Sequence, residues 1–394
     1  MAREYKDSGI EWIGQIPNEW EVNKIGNLYQ VRNEKVSDKD YPPLSVTMNG
    51  IVPQLETAAK TNNGDDRKLV CKGDFAINSR SDRRGSCGVS QYNGSVSLIN
   101  TILKPRGSMN PQYYNWLFHT ELFADEFYRW GHGIVDDLWT TRWQEMKNIS
   151  IVSPSLSEQQ KIAHYLDKVC SEVDEMVAIQ ETMIEELKDY KQSVITEAVT
   201  KGLNPNVPMR NSGIGWIGEI PEHWILSKAK FFVDITNGCD PKTEGNIPVY
   251  GSGASSFKTC GEYKEGPTVL IGRKGATLHI PHYIEGKYWN VDTAFDVKVK
   301  NGFDLRYYYY TAICFDYKYY ISQTTLPGMA QSSYNNMIIP VPSIEEQCSI
   351  ATYLDTKCSE IDSLIALKQS KIEELKEYKK SVIYEYVTGK KEVV

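Results

Sequence analysis

The chain carries the same motif near the start of each of its halves. The first copy reads DSGIEWIGQIPNEW from Asp7 to Trp20, and the second reads NSGIGWIGEIPEHW from Asn211 to Trp224. A longer pair of segments, 154–200 and 342–388, closes the two halves, and more than half of its aligned positions are identical. The stretches between these paired segments do not match well. The sequence therefore predicts one duplicated frame that carries two different inserts.

Length and composition indicate a globular protein with more than one domain. A chain of 394 residues is expected to form two or three domains, and 41% hydrophobic and 24% charged residues are ordinary values. No apolar run approaches the roughly 20 residues that span a bilayer, and residues 1–6 lack the apolar core of a signal peptide. The eight cysteines include no CxxC pair, so a reducing cytoplasm is expected.

The net charge of −7 is unusual for a protein that binds nucleic acid, but the charges are unevenly distributed. The repeated segments, 154–200 and 342–388, carry most of the excess of acidic residues. The first insert instead concentrates cationic residues: Lys72, Arg80, Arg83, Arg84, Lys104 and Arg106. Because local patches set the affinity for phosphate, nucleic acid remains a possible partner.

Each long repeated segment is predicted to be one helix. Ser155 stands three residues before Glu158, and Ser343 stands three residues before Glu346, which is the spacing of a capping box. Apolar residues then recur in alternating steps of four and three, a heptad pattern. The residues predicted to pack between the helices are Ile162, Leu166, Val173, Met176, Leu187 and Val194 in the first copy, and Ile350, Leu354, Ile361, Leu364, Leu375 and Val382 in the second. The first helix should end at Gly202.

A helix of about 40 residues would be about 60 Å long, which is too long to be buried in one small domain. Antiparallel pairing with its own repeat is the simplest way to cover its apolar stripe. That pairing would place the two inserts at opposite ends of the helices around a pseudo-two-fold axis, with the helices as a spacer. A coiled coil between two copies of the chain is the alternative.

Both inserts are predicted to be α/β (α+β) domains with short strands and many turns. The strand-like runs are 69–70, 74–78, 96–100, 268–272 and 294–299. An aromatic stretch of helical character follows in each insert, from Tyr113 to Trp130 and from Tyr307 to Ile321. These aromatic residues are expected to form the core of each domain rather than to stack on bases.

A basic loop follows a predicted strand in each insert, and these loops are the first candidate binding surfaces. The candidate residues are Asn78, Ser79, Arg80, Arg83, Arg84 and Ser86 in the first insert, and Arg273, Lys274 and Thr277 in the second. Arginine can bind guanine through two hydrogen bonds, and serine, asparagine and arginine donate hydrogen bonds to phosphates. A solvated basic turn is the alternative for each loop, but their matching positions favour DNA binding.

A second loop late in each insert is also a candidate. These loops span 131–143 and 326–334, directly before the final strand and the long helix. The candidate residues are Trp139, Thr140 and Arg142 in the first insert, and Gln331, Ser332 and Tyr334 in the second. Loops on a rigid scaffold are where recognition residues tend to lie.

The sequence contains no strong catalytic motif. It lacks the GxxxxGK[ST] phosphate loop, an adenine-methyltransferase motif pair and a GxSxG nucleophile turn. His279 and His282 could bind a metal, and Asp292, Asp296 and Lys298 faintly resemble a metal-dependent nuclease core. Both patterns are usually incidental. No catalytic residue and no metal site are therefore predicted.

The repeated frame, the inserts and their loops together resemble the specificity (S) subunit of Type I restriction–modification systems. The resemblance covers nearly the full length. It is carried by GIEWIG at 9–14 and GIGWIG at 213–218, and by the helix starts at Ser155 and Ser343. GDFAIN at 73–78 and GRKG at 272–275 are similar to motifs of the family's target-recognition domains.

The resemblance implies two target-recognition domains that each bind one half of a bipartite DNA site. It implies a first domain at 1–153, a central spacer helix at 154–205, a second domain at 206–341 and a C-terminal spacer helix at 342–394. It also implies a non-catalytic subunit that docks methyltransferase (M) subunits and restriction (R) subunits, two of each. S-adenosylmethionine, ATP and Mg²⁺ would then bind to those partners and not to this chain.

Three other hypotheses remain open at this point. The chain could be a scaffold that forms a homodimer through its helices, without sequence-selective DNA binding. It could be a metal-dependent nuclease built on Asp292, Asp296 and Lys298. Within the family, it could serve methylation alone, without a restriction partner.

Overall fold

The computed structural model contains two compact units. It describes residues 3–54, 64–80, 83–133, 139–253, 255–300, 302–321 and 327–393. The first unit combines 1–179 with 371–394, and the second spans 180–370. Parts of the predicted loops (81–82, 134–138 and 326) lie outside the described residues.

The first unit is built from short strands and helices. Its strands are β1 (Tyr5–Asp7), β2 (Gln15–Pro17), β3 (Glu21–Lys24), β4 (Tyr29–Arg32), β5 (Lys35–Val36), β6 (Leu44–Thr47), β7 (Gly50–Pro53), β8 (Arg67–Val70), β9 (Phe75–Asn78), β10 (Cys87–Val89), β11 (Gly94–Val96), β12 (Asn100–Pro105) and β13 (Ser150–Ser153). Its helices are α1 (Ile25–Leu28), α2 (Pro111–Phe118), α3 (Glu121–Arg129), α4 (Trp143–Met146) and the first part of α5 (Leu156–Lys201). The main sheet has the order β10-β9-β12-β4, with antiparallel neighbours.

The second unit repeats this plan. Its strands are β14 (Met209–Asn211), β15 (Glu219–Pro221), β16 (Ile225–Lys228), β17 (Val233–Asn237), β18 (Ile247–Tyr250), β19 (Lys258–Cys260), β20 (Lys264–Glu265), β21 (Thr268–Gly272), β22 (His282–Ile284), β23 (Lys287–Asn290), β24 (Ala294–Val299) and β25 (Ile338–Val341). Its helices are α6 (Leu305–Ile313), α7 (Tyr317–Tyr320), α8 (Gln331–Asn336) and the first part of α9 (Ile344–Val387), besides a 3-10 turn at Ala229–Phe231. The main sheet has the order β22-β21-β24-β17, the counterpart of the sheet in the first unit.

Aromatic side chains fill both cores, as the sequence predicts. Tyr113 and Phe118 of α2 are buried with Phe75 of the main sheet. Tyr307 and Tyr308 of α6 are fully buried in the second unit. Aromatic rings supply a large apolar area per residue, so these short helices can cover one face of a small sheet.

The repeated motif joins each domain to both long helices. Trp20 is fully buried, and its indole donates a hydrogen bond of 2.8 Å to Glu158 near the start of α5. The same ring lies against Gly389, just beyond the end of α9. Gly389 has φ +73°, a conformation that favours glycine.

Trp224 has the same position in the second unit. Its indole donates to Glu346 near the start of α9 (3.1 Å), and its ring lies against Gly202 at the end of α5, also at φ +73°. The predicted glycine end of the first helix is thereby confirmed. In each unit, the domain holds the start of one long helix and the end of the other.

The long helices run antiparallel within the first unit. Tyr165 of α5 packs on Tyr386 of α9, with ring centroids 4.5 Å apart. Nine residues further along α5, Asp174 binds Lys379, which lies earlier in α9 (2.6 Å). The second unit contains the matching pair, because Lys191 binds Asp362 at 2.7 Å.

Two residues predicted to pack between the helices lie on the surface instead. Met176 is 51% exposed and Leu364 is 47% exposed. Ile184 and Ile372, at equivalent places in the two repeats, are buried in their stead. A strict seven-residue repeat drifts by about 20° per heptad on a straight helix, so a heptad stripe alone does not fix which of its positions are buried.

The remaining ten positions are buried or half-buried. They are Ile162, Leu166, Val173, Leu187, Val194, Ile350, Leu354, Ile361, Leu375 and Val382.

Among the described residues, none of the helices is both long and apolar enough to cross a membrane.

Candidate functional site

The basic loop of the first unit begins with residues that shape the loop. Asn78 is buried, and its side chain accepts a hydrogen bond from the backbone N–H of Arg80 (3.0 Å). The hydroxyl of Ser79 lies 2.9 Å from that of Thr101, and Ser86 is also buried. The side chains of Asn78 and Ser79 fix the backbone from which the arginines extend, and all three of these residues are buried.

The three arginines of this loop have different surroundings. Arg80 and Arg83 are exposed. Arg84 forms an ion pair with Asp125 of α3 and lies 5.8 Å from the ring centroid of Tyr128. Arg80 is therefore better placed than Arg84 to contact a phosphate or a base edge.

The structure brings the second candidate loop against the first. The backbone N–H of Thr141 donates to the carbonyl of Ser79 (2.9 Å), and Arg80 forms a bridge with Thr140. Trp139 stacks on Tyr128 at 5.6 Å. Arg142 is exposed at the start of α4.

The second unit pairs its two candidate loops in the same way. The N–H of Met329 donates to the carbonyl of Arg273 (2.9 Å), which is the counterpart of the bond between Thr141 and Ser79. Lys274 forms a bridge with Gly328, as Arg80 does with Thr140. Each unit therefore has one surface in which two loops are held together by backbone hydrogen bonds.

Different side chains occupy this common surface in the two units. Asp292 lies beside the cations of the second unit, with its carboxylate 3.9 Å from Arg273 and 3.8 Å from Lys274. The sequence alone does not place Asp292 at this surface, because its contact with the loop depends on the pairing of β21 with β24. Thr277 uses its hydroxyl to donate to the carbonyl of Ser252 (2.9 Å).

The residues of α8 divide between surface and core. Ser332 is exposed, and Gln331 is half-buried with its amide donating to the carbonyl of Ile235 (2.5 Å). Tyr334 is fully buried, and its hydroxyl donates to the carbonyl of Gly272 (2.7 Å). Tyr334 supports the basic loop from beneath, so it is removed from the residues that could touch DNA. A turn-rich sequence gave no signal that this tyrosine points inward.

The carboxylates of the nuclease hypothesis do not face one another. Asp296 is buried and accepts hydrogen bonds from Thr268 (2.5 Å), Tyr288 (2.8 Å) and Lys264 (3.1 Å). Asp292 is exposed beside the basic loop instead. Asp296 has the contacts of a structural residue, because its oxygens are used by a buried network.

The histidine pattern also gains no further ligand. Burial lowers the pKa of His282, which favours the neutral ring. The part of the chain that the structure describes holds no group of three or more His, Cys, Asp or Glu side chains that could bind a metal ion.

Comparison with known proteins gives the same repeated organisation. The model of the Type I restriction modification DNA specificity domain matches residues 17–189 and 225–377. The chain is 23% identical to the type I restriction enzyme MjaVIII specificity subunit of Methanocaldococcus jannaschii, over 95% of this chain and 94% of that protein.

Solved structures share the fold. A chain from a study of complex assembly and conformational transition of the type I R-M system matches with a TM-score of 0.75 and 14% identity, over 94% of this chain and 98% of that one. The HsdS subunit from Thermoanaerobacter tengcongensis matches with a TM-score of 0.54 and 16% identity, over 95% and 98% of the two chains.

Proposed function

This chain belongs to the Type I restriction modification DNA specificity family, as a specificity subunit, and we propose that its two domains each bind one half of a bipartite DNA site. The observation that carries the proposal is the paired-loop surface, which occurs once in each unit. Its side chains differ between the units, with Ser79 and Arg80 in the first and Arg273 and Lys274 in the second. One backbone design with two sets of side chains suits the recognition of two different half-sites.

The proposed contacts use the exposed and half-buried residues of these surfaces. Phosphate contacts would supply most of the affinity, and side chains on base edges would supply the specificity. The proposed contact residues are Arg80, Arg83, Trp139, Thr140 and Arg142 in the first unit, and Arg273, Lys274, Thr277, Gln331 and Ser332 in the second. Arg84 would join them only after releasing Asp125.

We assign the recognition domains to 1–153 and 206–341 and the spacer helices to 154–205 and 342–394. The antiparallel packing in the first unit and the matching ion pair in the second support a spacer made of both long helices. Its length would set the number of base pairs between the half-sites.

The long helices also carry exposed apolar residues at equivalent places in the two repeats. These pairs are Met176 with Leu364, Ile179 with Leu367, and Tyr190 with Tyr378, each at least 47% exposed. A surface that is present twice suits two copies of one partner. We propose that each copy docks one methyltransferase subunit, and that restriction subunits join this complex.

The chemistry in this proposal belongs to the partners. The methyltransferase subunits would bind S-adenosylmethionine and methylate adenine N6, and the restriction subunits would use ATP and Mg²⁺. The specificity subunit would work without a cofactor of its own, in the cytoplasm of a prokaryotic cell.

A modified-base map of the host genome, with and without this gene, tests the proposal. We expect N6-methyladenine to disappear from one split motif with two short halves around a fixed gap. An unchanged map in a host that expresses the complete system would contradict the bipartite reader and favour the scaffold hypothesis.

A further inference from the structure

A third loop lies beside the paired-loop surface of the second unit. It connects β18 to β19, and its described residues are 251–253 and 255–257. The backbone N–H of Phe257 donates to the carbonyl of Val249 (3.2 Å). The side chain of Phe257 is 61% exposed. Most of a large aromatic ring therefore faces water.

Close contacts hold this loop against the basic loop. Thr277 donates to the carbonyl of Ser252, and a Cβ atom on Gly275 would lie 2.8 Å from the hydroxyl of Ser252. Gly275 also has φ +117°, so a side chain there would be strained by its backbone as well as by this contact. The place of Ser252 relative to the basic loop is thus fixed.

The ring of Phe257 lies at the edge of the same surface. A Cβ atom on Gly251 would lie 3.7 Å from the ring and 2.8 Å from the hydroxyl of Thr293. The carbonyl of Thr293 in turn accepts a hydrogen bond from the N–H of Arg273 (2.8 Å). A short chain of contacts therefore joins the exposed ring to the cations of the candidate site.

The first unit has a counterpart of this loop. The turn between β6 and β7 presents Met48, which is 69% exposed. Gly50, the first residue of β7 after this turn, packs on Gly88 of β10, since a Cβ atom on Gly88 would lie 2.8 Å from the Cα of Gly50. Gly88 pairs with Ala76 of β9, the strand that leads into the basic loop. Each unit thus holds one large exposed apolar side chain next to the strands that carry its basic loop.

We propose that Phe257 is an apolar wedge that inserts at a base step of the half-site bound by the second unit, and that Met48 has the same role in the first unit. The inference rests on the proposed function. DNA offers stacked bases and phosphates side by side, and Lys258 lies 5.5 Å from the centroid of the Phe257 ring, where it can bind a phosphate. Phenylalanine and methionine both occur as wedges that partly unstack a base step.

Phe231 provides a matched control in the same unit. It is also 61% exposed, and it also has a lysine near its ring, Lys230 at 5.2 Å. Phe231 lies at the opposite end of the main sheet from the basic loop. It precedes β17, where Val233 pairs with Val299, whereas Gly272 at the basic loop pairs with Ala294. These partners are five positions apart in β24, which separates the two ends of the sheet by about 17 Å.

The test uses the complex of this chain with its methyltransferase subunits and DNA duplexes that carry the mapped split motif. The purine analogue 2-aminopurine replaces one base at a time, outside the methylated adenine, because its fluorescence rises when a base is unstacked. Phe257→Ala should weaken binding about ten- to a hundredfold and abolish the fluorescence rise at one step. Phe231→Ala should leave both unchanged, and Phe257→Trp should retain both.

Binding and fluorescence of Phe257→Ala that match those of Phe231→Ala would overturn the wedge. So would weaker binding in which the fluorescence rise persists. Failure of the proposed function would look different, because the unsubstituted complex would then not discriminate the split motif from a scrambled duplex.

Discussion

The hydroxyl of Tyr113 donates a hydrogen bond of 2.8 Å to the backbone carbonyl of Val387, 274 residues further along the chain. Tyr307 makes the equivalent bond to Val199 in the second unit, at 3.2 Å. Both tyrosines are fully buried, and both carbonyls lie at the last turn of a long helix. The first domain leads into α5 but is completed by the end of α9. The second domain leads into α9 but is completed by the end of α5.

Removing the end of α9 should unfold the first unit selectively. Truncation after Lys380 would take Val382 and Val387 out of the first core and leave Tyr113 without its partner. Each buried valine contributes about 1.5–3 kcal/mol, so we expect a loss of several kcal/mol. Hydrogen exchange should show the loss of protection in 1–179 and retained protection in 180–370. Truncation after Lys391 is the control, and equal stability of both truncated chains would contradict this role of α9.

Substitutions in the basic loops should affect one half-site each. Arg80→Ala should weaken binding of the unchanged DNA site by about 1–3 kcal/mol and should relax the sequence preference only in the half-site of the first unit. Lys274→Ala should have the same two effects, with the relaxed preference only in the half-site of the second unit. Selection of bound sequences from a randomised library measures both effects.

Arg106→Ala is the control for the loop substitutions. Arg106 is exposed and follows β12, whose other end pairs with Asn78 at the basic loop. An effect of Arg80→Ala no larger than that of Arg106→Ala would show that the loop does not contact the DNA.

Lengthening both spacer helices should change the gap in the recognised site. Four residues inserted near Gln180, with four matching residues near Lys368, add about 6 Å and a rotation of about 40°. We expect a gap longer by one or two base pairs, because one base pair spans about 3.4 Å and about 35°. Methylation maps of cells that carry the variant would reveal the new gap. An unchanged gap would rule out that the helices set the distance between the half-sites.

Insertion in one helix alone should disturb the pairs of Asp174 with Lys379 and Lys191 with Asp362 and lower the stability of the fold.

Charges placed on the exposed apolar helix positions should remove the methyltransferase subunits one at a time. Met176→Glu or Leu364→Glu should each leave a complex with one such subunit, and the double variant should have none, because an apolar interface does not tolerate a buried unpaired carboxylate. Mass measurement of the assembled complex counts the subunits. Ile225→Glu, at a residue 55% exposed outside the long helices, should leave two. Full assembly of the double variant would exclude this face.

Glu346 should make a contribution to stability that disappears in acid. Partial burial raises the pKa of Glu346, but hydrogen bonds from His223, Trp224 and Ser343 together lower it by a larger amount. Its pKa therefore lies below the usual 4.5. A lowered carboxyl pKa stabilises the fold above pH 4.5, and that stability is lost as the pH falls through the folded-state value. The Glu346 side chain is 37% exposed, so solvent screening weakens this contribution, and Glu346→Gln should cost about 0.5–1 kcal/mol at pH 7 and progressively less below pH 4.5. Denaturant unfolding across pH measures this, and a constant difference at all pH values would contradict it.

Periodicity and repetition predicted much of this fold. Local backbone preferences can be read from neighbouring residues. Three features of this kind fix the local backbone here: the doubled WIG motif, the capping pair of Ser343 and Glu346, and Gly202. Met176 and Leu364 were misplaced because a heptad pattern does not tell whether the helix supercoils or stays straight.

The candidate site was predictable at the level of loops and not of side chains. Arg80 and Lys274 follow strands in basic turns, which a sequence displays. The place of Tyr334 depends on its hydrogen bond to Gly272, and that of Asp292 depends on the pairing of β21 with β24. Tyr334 was therefore assigned to the surface, and Asp292 was not assigned to the basic loop. Contacts between distant segments leave no local pattern.

The closure of the first domain by residues 371–393 also sets a schedule for folding on the ribosome. Residues 1–179 emerge first, yet their core lacks Val382 and Val387 until α9 has been synthesised. At about 5–20 residues per second, the ribosome needs roughly 10–40 s to make the intervening segment. During that time part of the apolar core of the earlier-made unit stays uncovered, whereas the later-made unit, which is continuous in the chain, is complete once residue 370 has been synthesised. The later-made unit is thus complete before the earlier-made one, and we expect a chaperone to bind the first half of the nascent chain.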